Sequence, residues 1–333
     1  MKNKFFIILV FLLLVNLILP TINAINLTET GANYTFSFVH ITDPHILCQS
    51  NNSNNSRKNE LKSVLDYVIS FEPKPSFIVL TGDLVAVGSG LAGALNYKEF
   101  LSCFYEKNNQ IFASSDYTIP VYTCPGNHDY RYKKTIDNYH KYISNKDKYV
   151  LIYGNLCLIF LDSGYDVTLD PMPLGSGLSD SDILWLEEKL TQYSNYDKII
   201  LLHHPIFNWG NNGVISQNRL KFVELCDTFN VEFVLSGHTH SDEIMNKNKN
   251  YGFVCPINCD EYDTLYVQTE STFQYLGYRN ISIKNGEIWI EHGRRAPEKP
   301  VKNVENINPT MSLLTKTMDK LLNLQLFLRE KNH

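Results

Sequence analysis

Five short segments of this 333-residue chain concentrate side chains that hold cations or move protons: Asp43-Pro44-His45, Gly82-Asp83, Gly126-Asn127-His128-Asp129, His203-His204-Pro205 and Gly237-His238-Thr239-His240. Each has a plain reading when taken alone. An Asp-x-His in a loop is commonly a turn with a surface histidine, and Gly-Asp behind an apolar run is commonly a turn and nothing more. The pair His203-His204 fits one buried, hydrogen-bonded histidine beside an exposed one. Gly-Asn-His-Asp carries more information, because its glycine frees the backbone while three consecutive polar side chains follow an apolar run. In Gly-His-Thr-His, alternate histidines can project to one side of an extended loop, a metal-ligating spacing. All five together, in order, each directly behind a β-like run, point to one metal site. Its imidazole, carboxylate and amide donors form a mixed N/O set that suits Mn, Fe, Zn or Co without choosing among them.

The runs that must position these segments are Phe36–Ile41, Phe77–Leu80, Ile119–Thr123, Leu156–Leu161, Ile199–Leu202 and Val231–Leu235, short and rich in β-forming residues. Helical patterns lie between them. Leu61, Val64, Leu65 and Val68 share one face, and Ser179 with Asp182 makes a capping signal ahead of Ile183, Leu186 and Leu190. Gly154-Asn155 and Asn285-Gly286 are placed for tight two-residue hairpins. Helices interleaved with strands, plus hairpins, predict an α/β fold with a mixed sheet system covered by helices and a site at the carboxyl ends of strands.

This order of motifs resembles the calcineurin-like metallophosphoesterase superfamily, whose signature runs Asp-x-His, Gly-Asp, Gly-Asn-His-Asp/Glu, a lone His, then Gly-x-x-His or Gly-His-x-His. The resemblance covers roughly residues 36–292. It implies a four-layer α/β/β/α sandwich of two mixed sheets and two divalent metal ions as cofactors. Asp43, His45 and His240 would hold one ion, Asn127, His203 and His238 the other, and Asp83 would bridge them. His203 is preferred to His204 because the family's ligand commonly stands two residues before a proline, here Pro205. A shared carboxylate lowers the repulsion between two cations, and neutral donors complete the shells without charge that would repel a phosphate. Two such ions about 3.5–4 Å apart can hold a hydroxide at neutral pH and stabilise both oxygens of an in-line displacement, so no Ser or Cys nucleophile is required. In the family the histidine matching His128 points at the substrate and is held by the acidic residue after it, here Asp129. The pair is therefore expected to stabilise the transition state or protonate the leaving alkoxide. His204 is expected to orient a ligand, and His40 and His292 to be core or surface residues.

The purple acid phosphatase branch replaces the first-motif histidine and carries a tyrosine three positions after the bridging aspartate. Here His45 is present and Ala86 stands at that position, which disfavours a tyrosinate-bound ferric site and leans toward the cyclic-nucleotide phosphodiesterase branch. The expected activity is hydrolysis of a phosphodiester or phosphomonoester. The competing expectation is a non-catalytic secreted glycoprotein with a structural or phosphate-binding metal site.

Outside the motifs, Lys2 and Lys4 precede an apolar run from Phe5 to Leu19, then Pro20 and Ala24, the layout of a signal peptide over residues 1–24. The run is short for a membrane span. A phosphoesterase domain is expected over 25–295 and a linker with an amphipathic helix (Met311, Leu314, Met318, Leu321) over 296–333. Without the leader, 28 basic residues face 35 acidic ones, a net charge of −7, which repels polyanions and argues against a dedicated nucleic-acid partner. Sequons at Asn26, Asn33, Asn51, Asn54 and Asn280 fit a secreted or lumenal route. Seven cysteines leave at least one unpaired; Cys255 with Cys259 is the expected disulfide, while Cys124 and Cys157 read as buried thiols. Trp209 is expected to pack on the core or its rim.

Overall fold

The computed structural model describes residues 35–48, 56–114, 119–130, 135–164, 176–210, 213–248, 253 and 255–297. The leader, the sequons at Asn26, Asn33, Asn51 and Asn54, and the C-terminal amphipathic helix lie outside the described residues. In chain order the elements are β1 (Phe36–Ile41), α1 (Ser56–Val68), β2 (Ile78–Thr81), α2 (Gly90–Leu101), β3 (Tyr105–Lys107), β4 (Gln110–Phe112), β5 (Pro120–Cys124), α3 (Asp137–Tyr142), β6 (Tyr149–Tyr153) and β7 (Leu156–Phe160). There follow α4 (Asp180–Gln192), β8 (Asp197–Leu201), α5 (Arg219–Thr228), β9 (Val231–Ser236), β10 (Glu243–Met245), β11 (Ile257–Asn258), a 3₁₀ turn (Cys259–Glu261), β12 (Leu265–Gln268), α6 (Thr272–Tyr275), β13 (Gly277–Lys284) and β14 (Glu287–Arg295).

The strands form two sheets. The larger has the order β11-β14-β13-β1-β2-β5-β4-β3 and the smaller β10-β12-β9-β8-β7-β6. β1, β2 and β5 run parallel, as do β7, β8, β9 and β12, with antiparallel strands at the margins, so both sheets are mixed. Ile41 lies opposite Leu80 and Leu80 opposite Thr123, which brings the carboxyl ends of three strands level.

Successive side chains of a strand face opposite ways, and the core follows that rule. Phe38, Val79, Leu158, Phe160, Ile199 and Leu201 point between the sheets, whereas Val39, Ile41, Ile78 and Leu80 face the helices of the larger sheet. Leu61, Val64, Leu65, Tyr97 and Phe100 of α1 and α2 cover that outer face. Leu186 and Leu190 of α4 and Phe222 of α5 cover Cys157, Ile159 and Ile200 on the smaller sheet. The result is the expected α/β/β/α sandwich, each buried large apolar side chain contributing about 1.5–3 kcal/mol.

Local signals agree with the sequence. Ser179 and Asp182 form a reciprocal capping box at the start of α4. Asn285 and Gly286 both take positive φ, as the two-residue turn between β13 and β14 demands. The cysteines require a correction: Cys255 and Cys259 do not pair, and all seven are free thiols. Cys259 is packed into the inter-sheet core with Cys255 at its edge, and burial raises its thiol pKa, so it behaves as an apolar filler. Trp209 is 66% exposed and covers no core. No helix among the described residues is long and apolar enough to cross a membrane.

Candidate metal centre

Each motif leaves a strand at its carboxyl end. Asp43 and His45 follow β1, Asp83 follows β2, and Asn127, His128 and Asp129 follow β5, all from the larger sheet. His203 and His204 follow β8, and His238 and His240 follow β9, from the smaller sheet. The donors therefore meet at the seam between the two sheets. The turns that deliver them use left-handed backbone. Of eleven non-glycine residues with positive φ among the described residues, five are Asp43, His45, Asp83, His238 and His240; the rest are five asparagines and Leu276. Asparagine, aspartate and histidine are the non-glycine residues most often found in this region, so the donor types suit the turns that carry them. Gly126 and Gly237 let the loops approach: a Cβ on Gly126 would lie 2.4 Å from Asp83 Oδ1, and one on Gly237 2.3 Å from Asp43 Oδ2.

Two adjoining groups of donors result. In one, His45 Nε2 and His240 Nε2 stand 3.2 Å apart, and 3.5 and 3.4 Å respectively from Asp43 Oδ1. In the other, His203 Nε2 lies 3.1 Å from Asn127 Oδ1 and 3.2 Å from His238 Nδ1. Asp83 Oδ2 sits between them, 3.5 Å from His45 Nε2 and 3.3 Å from His203 Nε2. The far nitrogens are fixed by acceptors: His203 Nδ1 donates to the Thr81 carbonyl at 2.8 Å, and His240 Nδ1 meets Gln274 Oε1 at 3.0 Å. Because a carbonyl only accepts, these bonds put the proton on Nδ1 and leave the Nε2 lone pair facing inward.

The cluster is electrostatically incomplete as a set of protein atoms. Imidazole nitrogens converge on one another, and Asp43 Oδ1 is buried without a hydrogen-bond partner. Burial opposes ionisation of Asp43 and Asp83, yet the surrounding histidines, His203 foremost, hold both carboxylates well below their usual range. Burial likewise opposes a charged His203, but Asp83 and Asp43 overcome it and raise its pKa to about 10. His238 goes the other way, to about 4, through burial and the His203 charge. A proton on His203 is a poor substitute for cations at the focus of these donors. The residues present thus fit divalent ions, with mutually close groups such as Asp43, His45, His240 and Asp43, Asp83, His203 able to hold them.

His128 lines the same space, its ring edge-on to His45 with centroids 4.5 Å apart and its Nε2 4.0 Å from Asp83 Oδ2. The expectation that Asp129 holds His128 is corrected. The Asp129 carboxylate takes the Tyr97 hydroxyl at 2.7 Å and the amides of Gly126 and Leu84 at 2.8 and 3.4 Å, so it orders the loop. His128 Nδ1 instead donates to the Ala86 carbonyl at 2.8 Å, which turns Nε2 toward the cavity. His204 is fully buried, with Nδ1 3.1 Å from Ser163 Oγ and its ring 4.4 Å from that of His238; its Nε2 has no hydrogen-bond partner, and with His203 and His238 it forms a further group close enough to hold an ion. His40 is also fully buried and bridges Thr269 and Thr81, while His292 is exposed on β14. The sequence reading missed Tyr97, Gln274, Ala86, Arg57 and Phe273, the last three of which line the cavity or its donors. Apart from Ala86, which the sequence marked only as standing where a tyrosine would be, none lies in a motif, and only their place in the fold reveals them.

A mixed-sheet α/β/β/α sandwich with carboxylate, amide and imidazole donors at the strand ends defines a metallophosphoesterase. Residues 36–242 match the calcineurin-like phosphoesterase family, and the chain belongs to that family of metal-dependent phosphoric ester hydrolases. It is similar to a probable glycerophosphodiester phosphodiesterase of Arcobacter nitrofigilis, 24% identical over 220 residues, which cover 63% of this chain and 74% of the relative. It is also similar to a 3',5'-cyclic adenosine monophosphate phosphodiesterase of Vibrio vulnificus, 25% identical over 282 residues, 81% of this chain and 93% of the relative. Among solved structures, purple acid phosphatase from yellow lupin seeds shares the fold with a TM-score of 0.55 at 14% identity, over 81% of this chain and 53% of that one. The chain thus spans about half of the lupin protein. The anchor in the inner membrane complex of Plasmodium shares it with a TM-score of 0.51 at 13% identity, over 84% of this chain and 94% of that one.

Proposed function

We propose that the chain hydrolyses a small-molecule phosphodiester or phosphomonoester at two divalent cations, one held by Asp43, His45 and His240, the other by Asn127, His203 and His238, with Asp83 shared. The observation that carries this reading is the position of Asp83 Oδ2 within 3.5 Å of a histidine from each group. When bound, the cations supply Lewis acidity toward the phosphoryl oxygens and lower the pKa of water. The chain's own part is to place donors, exclude competing protons and serve the leaving group. With Nδ1 occupied by the Ala86 carbonyl, His128 presents Nε2 to the cavity, from where a proton on that nitrogen could pass to a departing alkoxide. The names of the two bacterial relatives favour a diester.

The test is a panel of mono- and diesters on purified protein loaded with Mn, Fe, Zn or Co in turn. Turnover that requires metal and reaches about two ions per chain supports the reading. Stoichiometric metal without turnover of any ester returns the non-catalytic alternative. For localisation, the leader pattern and sequons support a secretory route. A purified native chain beginning at Met1 and carrying no glycan would overturn it.

A further inference from the structure

One wall of the catalytic cavity is built from residues that are not metal donors. The space in front of the donors, about 310 Å³, is bounded by Arg57, Ala86 and Phe273 together with Asp83 and the histidines, and among the described residues Arg57 is the one Lys or Arg on that lining. It stands in the first turn of α1, the helix end where a cation is opposed by the backbone dipole. Its position is nonetheless fixed. The guanidinium carbon lies 4.1 Å from the centroid of the Phe273 ring, and Nη1 donates to the His45 carbonyl at 2.9 Å. Phe273 is itself anchored, its amide donating to the Asp43 carbonyl at 3.3 Å from α6, which packs against α1. A stacked guanidinium is a pre-organised, planar cation suited to carboxylate or phosphate.

Its placement defines what it can reach. Arg57 meets His45 from the main-chain side, whereas His45 Nε2 faces Asp43 and Asp83. The guanidinium therefore meets the site at the main chain of His45 and not at its Nε2, on the cavity wall beside the cluster of donors. We propose that Arg57 is a specificity-determining residue that receives a second anionic group, so that the substrate class is a phosphoester whose organic part carries its own carboxylate or phosphate. This rests on the phosphoesterase reading and deepens it.

The test uses two phosphonates that cannot be hydrolysed, 3-phosphonopropionate and propylphosphonate, which differ in the terminal carboxylate. Binding is measured by calorimetry on Mn-loaded full-length protein, with metal content checked after each titration. Wild type is expected to prefer 3-phosphonopropionate by about 10- to 100-fold, the range of a charge-assisted guanidinium pair. Arg57→Gln should reduce the preference to about threefold or less. Arg57→Lys, which keeps the charge and loses the stacked fork, should fall between. No preference in wild type, or a preference undiminished in both variants, overturns the proposal. Should Arg57→Gln fail to fold, Arg57→Lys decides alone: an unchanged ratio counts against the fork. A wild-type protein that binds these phosphonates but turns over no ester would sink the enzymatic reading and leave this one to stand or fall on the ratio.

Discussion

The two ends of strand β9 carry two polar recesses of similar size and opposite character. Beyond its carboxyl end lies the metal centre with its cavity of about 310 Å³; at its amino end, Glu232, Asp227, Asp260, Asp263 and Lys247 line a recess of about 290 Å³. The second recess holds more carboxylates, yet they pair with Lys247, 3.1 Å from Asp227 and 3.7 Å from Asp263, and several are open to water. Burial, then repulsion from Asp197 and Asp260, pushes the Glu232 pKa up to about 7. At the other end the carboxylates move down, because histidines surround them, and Asp43 Oδ1 is left without a hydrogen-bond partner. Acid count and volume do not make a metal site. Converging neutral donors, with an oxygen left without a partner, do.

The difference can be attacked from either end. Asp83→Asn removes the charge shared by both donor groups while keeping shape, and activity is expected to fall by about 1,000-fold, with metal analysis showing fewer than two ions. Near-normal turnover with two ions retained would refute the sharing. If His203 holds the ion and His204 orients its neighbours, His203→Ala should cost about 100-fold or more through lost metal, and His204→Ala about tenfold. A reversed order would exchange their assignments.

His128→Ala should leave metal content intact and slow an alkyl ester by about 100-fold, with a smaller loss for an activated aryl ester whose leaving group needs no proton. Equal slowing of both esters would favour electrostatic stabilisation over proton donation. Unchanged rates on both, at full metal content, would leave His128 with no catalytic part.

The smallest effect belongs to the acidic recess. Glu232 has a folded pKa of about 7 against an ordinary 4.5, so the folded state prefers its neutral form and loses stability as pH rises through that window. Glu232→Gln should therefore raise Tm by about 2 °C at pH 8, a figure discounted for the group's partial exposure, and bring no gain below about pH 4.5. Activity should not change. A stability gain at low pH instead would show that the sign is wrong, and a loss of metal would show that the recess is coupled to the centre.

The sequence made much of this legible because strands and donors are adjacent along the chain. β1 begins and ends where its apolar run does, and five donor segments sit within a few residues of strand ends. Contacts made only by tertiary structure stayed hidden. Tyr97 reaches Asp129 across 32 positions, and Gln274 reaches His240 across 34. Helix α6, four residues long, offers no periodicity to read, so Phe273 and its hold on Arg57 had no signal. Cys255 and Cys259 looked close enough to bridge, but spacing carries no information about which way side chains face. Asp129 was misread for a similar reason: the residue next to His128 turns its carboxylate away from it.

The donors are divided between the sheets, Asp43, His45, Asp83 and Asn127 on one and His203, His238 and His240 on the other. The apolar layer of Phe38, Phe77, Phe160 and Leu201 between the sheets therefore acts as a caliper whose jaws are the two halves of the centre. Changing the thickness of that layer would change the spacing of the jaws at the seam. Ion uptake is in this sense a gauge of how the whole sandwich is docked, because neither sheet alone carries the full set of donors.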